Sequence, residues 1–155
     1  MDVTTSPVQT VSLGELGHSL GFLLRLAQLK AFEDFFSGHG PRGLKPGEFS
    51  VLFTISRNPG IRQSVLGQRL MIKRAHMTKL IRSFEDNGLV SRRIPDDDRR
   101  SIELTLTAKG VAEVETISEA FFAYEATTGA PLTSRERDQL STILKKFVGI
   151  GEEAA

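Results

Sequence analysis

IRQSVLGQRLMIKRAHMTKLIRSFEDNGLVSRRIPDDDRRSIELTLT, residues Ile61 to Thr107, is the stretch whose reading decides the fold. Within it Met77, Leu80, Ile81 and Phe84 fall at i, i+3, i+4 and i+7, so they share the buried face of a helix. The opposite face gathers Ala75, Thr78, Lys79, Arg82 and Asp86, with Lys73 and Arg74 at its leading end. Asn87-Gly88 is a helix stop, and Val90 to Ile94 then reads as a strand. Ile102, Leu104 and Leu106 alternate with Glu103 and Thr105, the period of a second, half-buried strand. Between the strands, Pro95 to Arg100 is too polar to bury and too short for a linker, which makes it a hairpin tip. Upstream, Arg62 to Leu70 forms a shorter helix that buries Val65, Leu66 and Leu70. Two helices with an abrupt break, then a hairpin, is the order of a winged helix-turn-helix.

The chemistry of this stretch is cationic. A helix lying in a DNA major groove presents Arg and Lys to guanine edges and phosphates, as the face carrying Lys73, Arg74, Ala75, Thr78, Lys79 and Arg82 does. Read alone, the same face also fits an ordinary solvated surface. Gln63 and Ser64, at the start of the shorter helix, can donate to a phosphate, as can the free amides there. In the tip, Asp98 can direct a neighbouring arginine through a charge-assisted hydrogen bond, and an arginine so held suits a narrow minor groove. Arg100 is the candidate and Arg99 the rival, which side-chain alternation would turn toward a phosphate or solvent. A wing used for protein contacts, the alternative, calls for apolar anchors where this chain has Lys79, Arg82, Arg99 and Arg100.

Charge distribution points the same way. The net charge of the 155 residues is only +1, but residues 62–100 hold ten Lys or Arg against five Asp or Glu, leaving −4 for the rest. Positive charge is concentrated on the helix-turn-helix and wing, as a phosphate-binding surface requires.

Outside this stretch the chain reads as helices. Residues 1–11 are a polar arm, and one long helix is expected over residues 13–36. Its apolar residues form two adjoining stripes, more than one core needs, so a second contact surface is expected. A partner subunit is the simplest such surface; deep burial within one monomer is the alternative. Residues 38–43 read as a loop, and Lys45 to Ser56 as a helix with Phe49, Leu52, Phe53 and Ile55 as its apolar contacts. After the wing, Thr107 caps a helix to about residue 127, with Val114, Ile117, Phe121 and Tyr124 on one face. Thr133 and Glu136 form a capping box opening a last helix that buries Leu140, Ile143, Leu144 and Phe147. The whole is a single mainly α chain, with a winged helix-turn-helix lobe over 44–107 and a helical dimerisation region over 12–38 and 108–150.

Catalytic chemistry is not indicated. The absence of cysteine excludes disulfides and thiolate metal sites, and His18, His39 and His76 lack ligands at metal spacing. No nucleophile elbow or phosphate-cradling glycine loop is present, so neither an enzyme nor a resident cofactor is expected. Apolar runs fall far short of the roughly 18 residues of a membrane span, and the N-terminus lacks a basic-then-apolar leader, so a cytoplasmic protein is expected.

These residues resemble the multiple antibiotic resistance regulator (MarR) family of bacterial winged-helix transcription factors. The resemblance rests on LKPGEFSVL from Leu44, NPGIRQSVLGQRL, EDNGLVSRR and DDDRRSIELTLTAKG, spanning roughly residues 44 to 110. The last segment matches a wing signature through Asp98, Arg100, Leu106, Thr107, Lys109 and Gly110. Lys73 departs from the acidic or small polar residue usual at the recognition-helix start, and Gly47 from a better helix former after Pro46. The resemblance implies a homodimer on double-stranded DNA, by default a repressor, released by a small amphipathic or aromatic effector. Aromatic acids and their coenzyme A thioesters are among the effectors it implies. The expected effector lining is His18, Phe22, Arg25 and Leu29 on the first helix, with Phe49 and Phe53 from the lobe. Arg25 could anchor an anionic effector or pair with an acid of its own dimer.

Overall fold

A computed structural model describes residues 10–39 and 43–151. Most of the expected arm, and residues 40–42 of the expected loop, lie outside them. The elements in chain order are α1 (Leu20–Asp34), α2 (Pro46–Arg57), β1 (Ile61–Arg62), α3 (Gln63–Arg69), α4 (Arg74–Asp86), β2 (Val90–Arg93), β3 (Glu103–Leu106), α5 (Ala108–Glu125) and α6 (Ser134–Val148).

The lobe is built around α2. Val51, Leu52 and Ile55 of α2 pack with Leu66 of α3, Met77, Ile81 and Phe84 of α4, Val90 and Leu104 of the sheet, and Val114 of α5. The helical spacing on α4 therefore faces inward as the sequence requires. The three strands lie in the order β1-β3-β2, all antiparallel, with Ile61 opposite Leu104 and Val90 opposite Leu106. The minimal strand at Ile61 thus pairs with the returning wing strand. An aromatic cluster extends this core toward α1: Phe49 stacks on Phe121 with ring centroids 4.0 Å apart, and Phe35 meets Tyr124 edge-on.

Several expectations change. The single helix over residues 13–36 is divided: a 3-10 turn at Gly14–His18 ends where Ser19 is extended, and α1 begins only at Leu20. Gly14, at φ 52°, and Gly17 are poor helix formers, and no side chain caps the junction. At its other end α1 runs into a π-helical turn, Phe35–His39, where a loop was expected to begin at Gly38. Val65 of α3 is half exposed and not in the core. Pro95, read as part of a wholly solvated tip, is buried.

The largest departure is α6. Leu140, Ile143 and Phe147, expected to be buried, are 44%, 63% and 62% exposed, and no residue of α6 is buried. Leu144 is partly covered. Leu20, Leu23 and Leu29 of α1 are exposed as well. The amphipathic pattern is present, but the surface it fits is not supplied by the described residues of this chain.

Candidate nucleic-acid interface

Gly67 lets the turn after α3 fold closely back on that helix. It is buried, and a β-carbon there would lie 3.3 Å from the Ile72 carbonyl, which itself is next to the turn closed by the Ile72 amide donating to the Gly67 carbonyl. Met71, in that turn, has φ 53°, the left-handed conformation that lets the chain reverse within a few residues. Lys73 then takes an extended conformation before α4, and its side chain makes no capping hydrogen bond, as its identity requires. The exposed face of α4 carries Arg74, Ala75, Thr78, Lys79 and Arg82. Thr78 Oγ1 donates to the Arg74 carbonyl at 2.9 Å and receives Gln63 Nε2 at 3.3 Å, so the start of α3 is tied to the outward face of α4.

A groove of about 920 Å³ runs between these helices and the returning side of the wing, from Arg100 to Ile102. Gln63, Ser64, Lys73 and Arg74 line one part of it and Arg100 and Ser101 another. Five residues singled out for phosphate or base contact, distant in sequence, are thereby brought to one concavity. Ala75, Thr78, Lys79 and Arg82 continue along α4 from its rim, and Arg99 is exposed at the tip.

Three arginines of the lobe are paired with acids. Arg93 meets Glu103 across the wing strands at 2.6 Å, Arg92 meets Glu85 at the end of α4 at 2.8 Å, and Arg62 lies 3.7 Å from Asp98. Among the described residues, no acid pairs with Lys73, Arg74, Lys79, Arg82, Arg99 or Arg100. These six side chains are all exposed.

Asp98 does not act as expected. Its carboxylate accepts from the Arg100 backbone amide at 3.2 Å and from the Ser101 hydroxyl, and its ion pair is with Arg62 and not with the Arg100 guanidinium. The Ser101 and Arg100 hydrogen bonds, helped by Arg62, hold this carboxyl below the usual carboxylate range. Asp98 thus shapes the backbone of the tip while leaving the Arg100 side chain free. Arg62 and Ser101 were missed in the sequence because their roles depend on contacts with a distant segment or a turn's closure. The one available signal for Arg62 was its place at the junction of β1 and α3.

The expected effector residues fall in separate settings. Phe49 is 2% exposed and belongs to the core, its ring already stacked on Phe121. Phe53 is half-buried and packs between Phe49 and Phe122. Phe22, Arg25 and Leu29 share a face of α1, where Phe22 is half-buried and the other two are exposed. His18 precedes the break at Ser19, in the 3-10 turn, and so is out of phase with that face.

The sequence profile of the MarR family matches residues 44–102. A putative transcriptional regulatory protein for the hcr operon of Thauera aromatica is 32% identical over 135 residues, covering 86% of this chain and 81% of that protein. The transcriptional repressor CouR bound to a 23-mer DNA duplex superimposes with a TM-score of 0.79 at 34% identity, covering 90% of this chain and 99% of that one. CouR bound to p-coumaroyl-CoA superimposes with a TM-score of 0.76 at 31% identity, covering 89% and 97%.

Proposed function

Since this chain belongs to the MarR family of winged-helix transcriptional regulators, we propose that it is a homodimeric repressor that binds a pseudo-palindromic operator and leaves it on binding an aromatic effector. The observation that carries the DNA side of this reading is the set of six cations without acid partners around and beside the groove between α3, α4 and the wing. Arg74 and Lys79 reach base edges or adjacent phosphates, Gln63 and Ser64 meet phosphates, and Arg100 enters the flanking minor groove. The charged tip, with no apolar anchor among Asp96 to Arg100, favours DNA over a protein partner there.

In this reading residues 44–107 are the DNA-binding lobe, and 12–38 with 108–150 join two chains. The uncovered apolar faces of α1 and α6 support that division. Two recognition helices then meet successive major grooves about 34 Å apart. The likeness to CouR with p-coumaroyl-CoA supports an aromatic acid or its coenzyme A thioester as effector. Phe22, Arg25 and Leu29 of α1 are its proposed contacts, with Phe53 as the accessible aromatic of the lobe. The protein is read as a regulator of cytoplasmic DNA and not as an enzyme, in keeping with its named relatives.

The test is to sequence genomic fragments retained by the purified protein, then titrate a retained fragment against p-coumaroyl-CoA, free coenzyme A and p-coumarate. Retention of a recurrent two-fold sequence, released by an aromatic compound and not by coenzyme A alone, is expected. Retention of random fragments defeats the operator reading, and indifference to all three compounds defeats this effector class.

A further inference from the structure

We propose that Arg62 is a positioning residue for the wing: by pairing with Asp98 it holds the tip that carries Arg99 and Arg100 against the helix-turn-helix. Three observations carry this. First, Arg62 is fixed at its root, because it lies in β1 opposite Glu103 and the next residue's amide, that of Gln63, donates to the Ile102 carbonyl at 2.8 Å. Second, Asp98 is the residue on which the tip closes. Its amide donates to the Pro95 carbonyl, its carbonyl receives the Ser101 amide at 3.0 Å, and its carboxylate takes the Arg100 amide and the Ser101 hydroxyl. A charge placed 3.7 Å from that carboxylate therefore acts on the whole tip. Third, Arg62 and Asp98 are not among the residues lining the groove, whereas their chain neighbours Gln63 and Arg100 are. The pair thus joins the two segments that bring Gln63 and Arg100 to the groove.

The remaining pairs leave the tip to this one. Arg92 and Glu85 join the wing's first strand to α4, and Arg93 and Glu103 join the two wing strands, both below the tip. Among the described residues, Arg62–Asp98 is the one ion pair between the tip and the helix-turn-helix. Charge alone gives an opposite expectation for Asp98: an acid close to DNA phosphates repels them, so its loss would tighten binding. If the acid instead shapes the tip with Arg62, its loss weakens binding.

This inference rests on the reading that the wing tip enters the minor groove, and the experiment separates the two. Full-length protein is titrated on a duplex it has selected from a randomised library, re-flanked with A·T or G·C runs, at several salt concentrations. Arg62→Ala is expected to weaken binding to the A·T-flanked duplex by roughly two- to fivefold, the size of a half-exposed ion pair, with the melting temperature and salt slope unchanged. Arg62→Lys recovers most of the loss. Asp98→Asn weakens binding, and Arg62→Ala adds nothing in an Arg100→Ala background, because the effect passes through the tip. A salt slope reduced by about one unit in Arg62→Ala marks a phosphate contact and overturns the proposal. So does full additivity of Arg62→Ala with Arg100→Ala, or tighter binding by Asp98→Asn. If Arg100→Ala alone changes neither affinity nor flank preference, the minor-groove reading falls and this proposal with it.

Discussion

The lobe and the flanking helices satisfy the same hydrophobic patterning in opposite ways. In the lobe, Leu52, Ile55, Leu66 and Leu104 are fully buried by other parts of the same chain. In α6, a pattern just as regular leaves Ile143 and Phe147 mostly in water. Periodicity therefore specifies which residues of a helix share a face, and it does not specify which chain covers that face. The lobe carries its own core, whereas the apolar faces of α1 and α6 are left uncovered by the described residues of this chain.

The sharpest way to break that contrast is to substitute one residue on each side of it. Leu52→Ala should lower the free energy of unfolding by about 2–5 kcal/mol, through lost burial and the cavity left behind. That loss is to be read by denaturant titration. Ile143→Asp should instead convert a dimer to a monomer in sedimentation at micromolar concentration while the lobe's near-ultraviolet signal is retained. A wild-type chain that sediments as a monomer would remove the contrast altogether.

Within the lobe, a smaller effect divides base-reading from phosphate-holding cations. Lys79→Ala should cost about 1–3 kcal/mol on the selected operator and less on random duplex if it reads a base. Equal losses on both would make it a phosphate contact. Smaller again, Thr107→Ala should destabilise the fold by about 1 kcal/mol, since Thr107 Oγ1 accepts from the Gly110 amide at the start of α5. The smallest expected effect is the acid response of the tip. Because the folded state holds the Asp98 carboxyl below its ordinary range, the contribution is complete above that range and disappears as pH falls through the lowered value. In Asp98→Asn, fold stability should lose that part of its acid sensitivity, measured by thermal unfolding across acidic pH.

What could be read from the sequence was what neighbouring residues determine. The face of α4, its stop at Asn87-Gly88 and the alternation through Leu104 all depend on local spacing, and all appear in the structure. The capping box at Thr133 is equally local, with the Thr133 amide donating to Glu136 at 2.8 Å. The break at Ser19 was hidden because long apolar stripes outweighed the glycines that interrupt them. The burial of Phe49 and the exposure of Val65 depend on which distant helix arrives over them. The partner of Asp98 differs for a related reason: Arg100, two residues on, supplies only its backbone amide, while the charge comes from Arg62 across the fold.

The signature residues at the β3–α5 junction form a mechanical joint. Thr107 donates its hydroxyl to the Gly88 carbonyl, Lys109 Nζ reaches the Asn87 carbonyl at 2.8 Å, and a β-carbon on Gly110 would lie 2.0 Å from the Leu89 carbonyl. The first turn of α5 is thus welded to the turn over residues 87–89 that directly follows α4, with no room at Gly110 for even a methyl group. A weld transmits rotation. The 13 residues of α4 make a rod about 20 Å long, so tilting α5 by about 10° swings the far end of the recognition helix by roughly 3 Å. A movement of that size exceeds the tolerance of a hydrogen bond to a base edge. A small change in the angle of α5 is thus a lever on the position of the far end of α4.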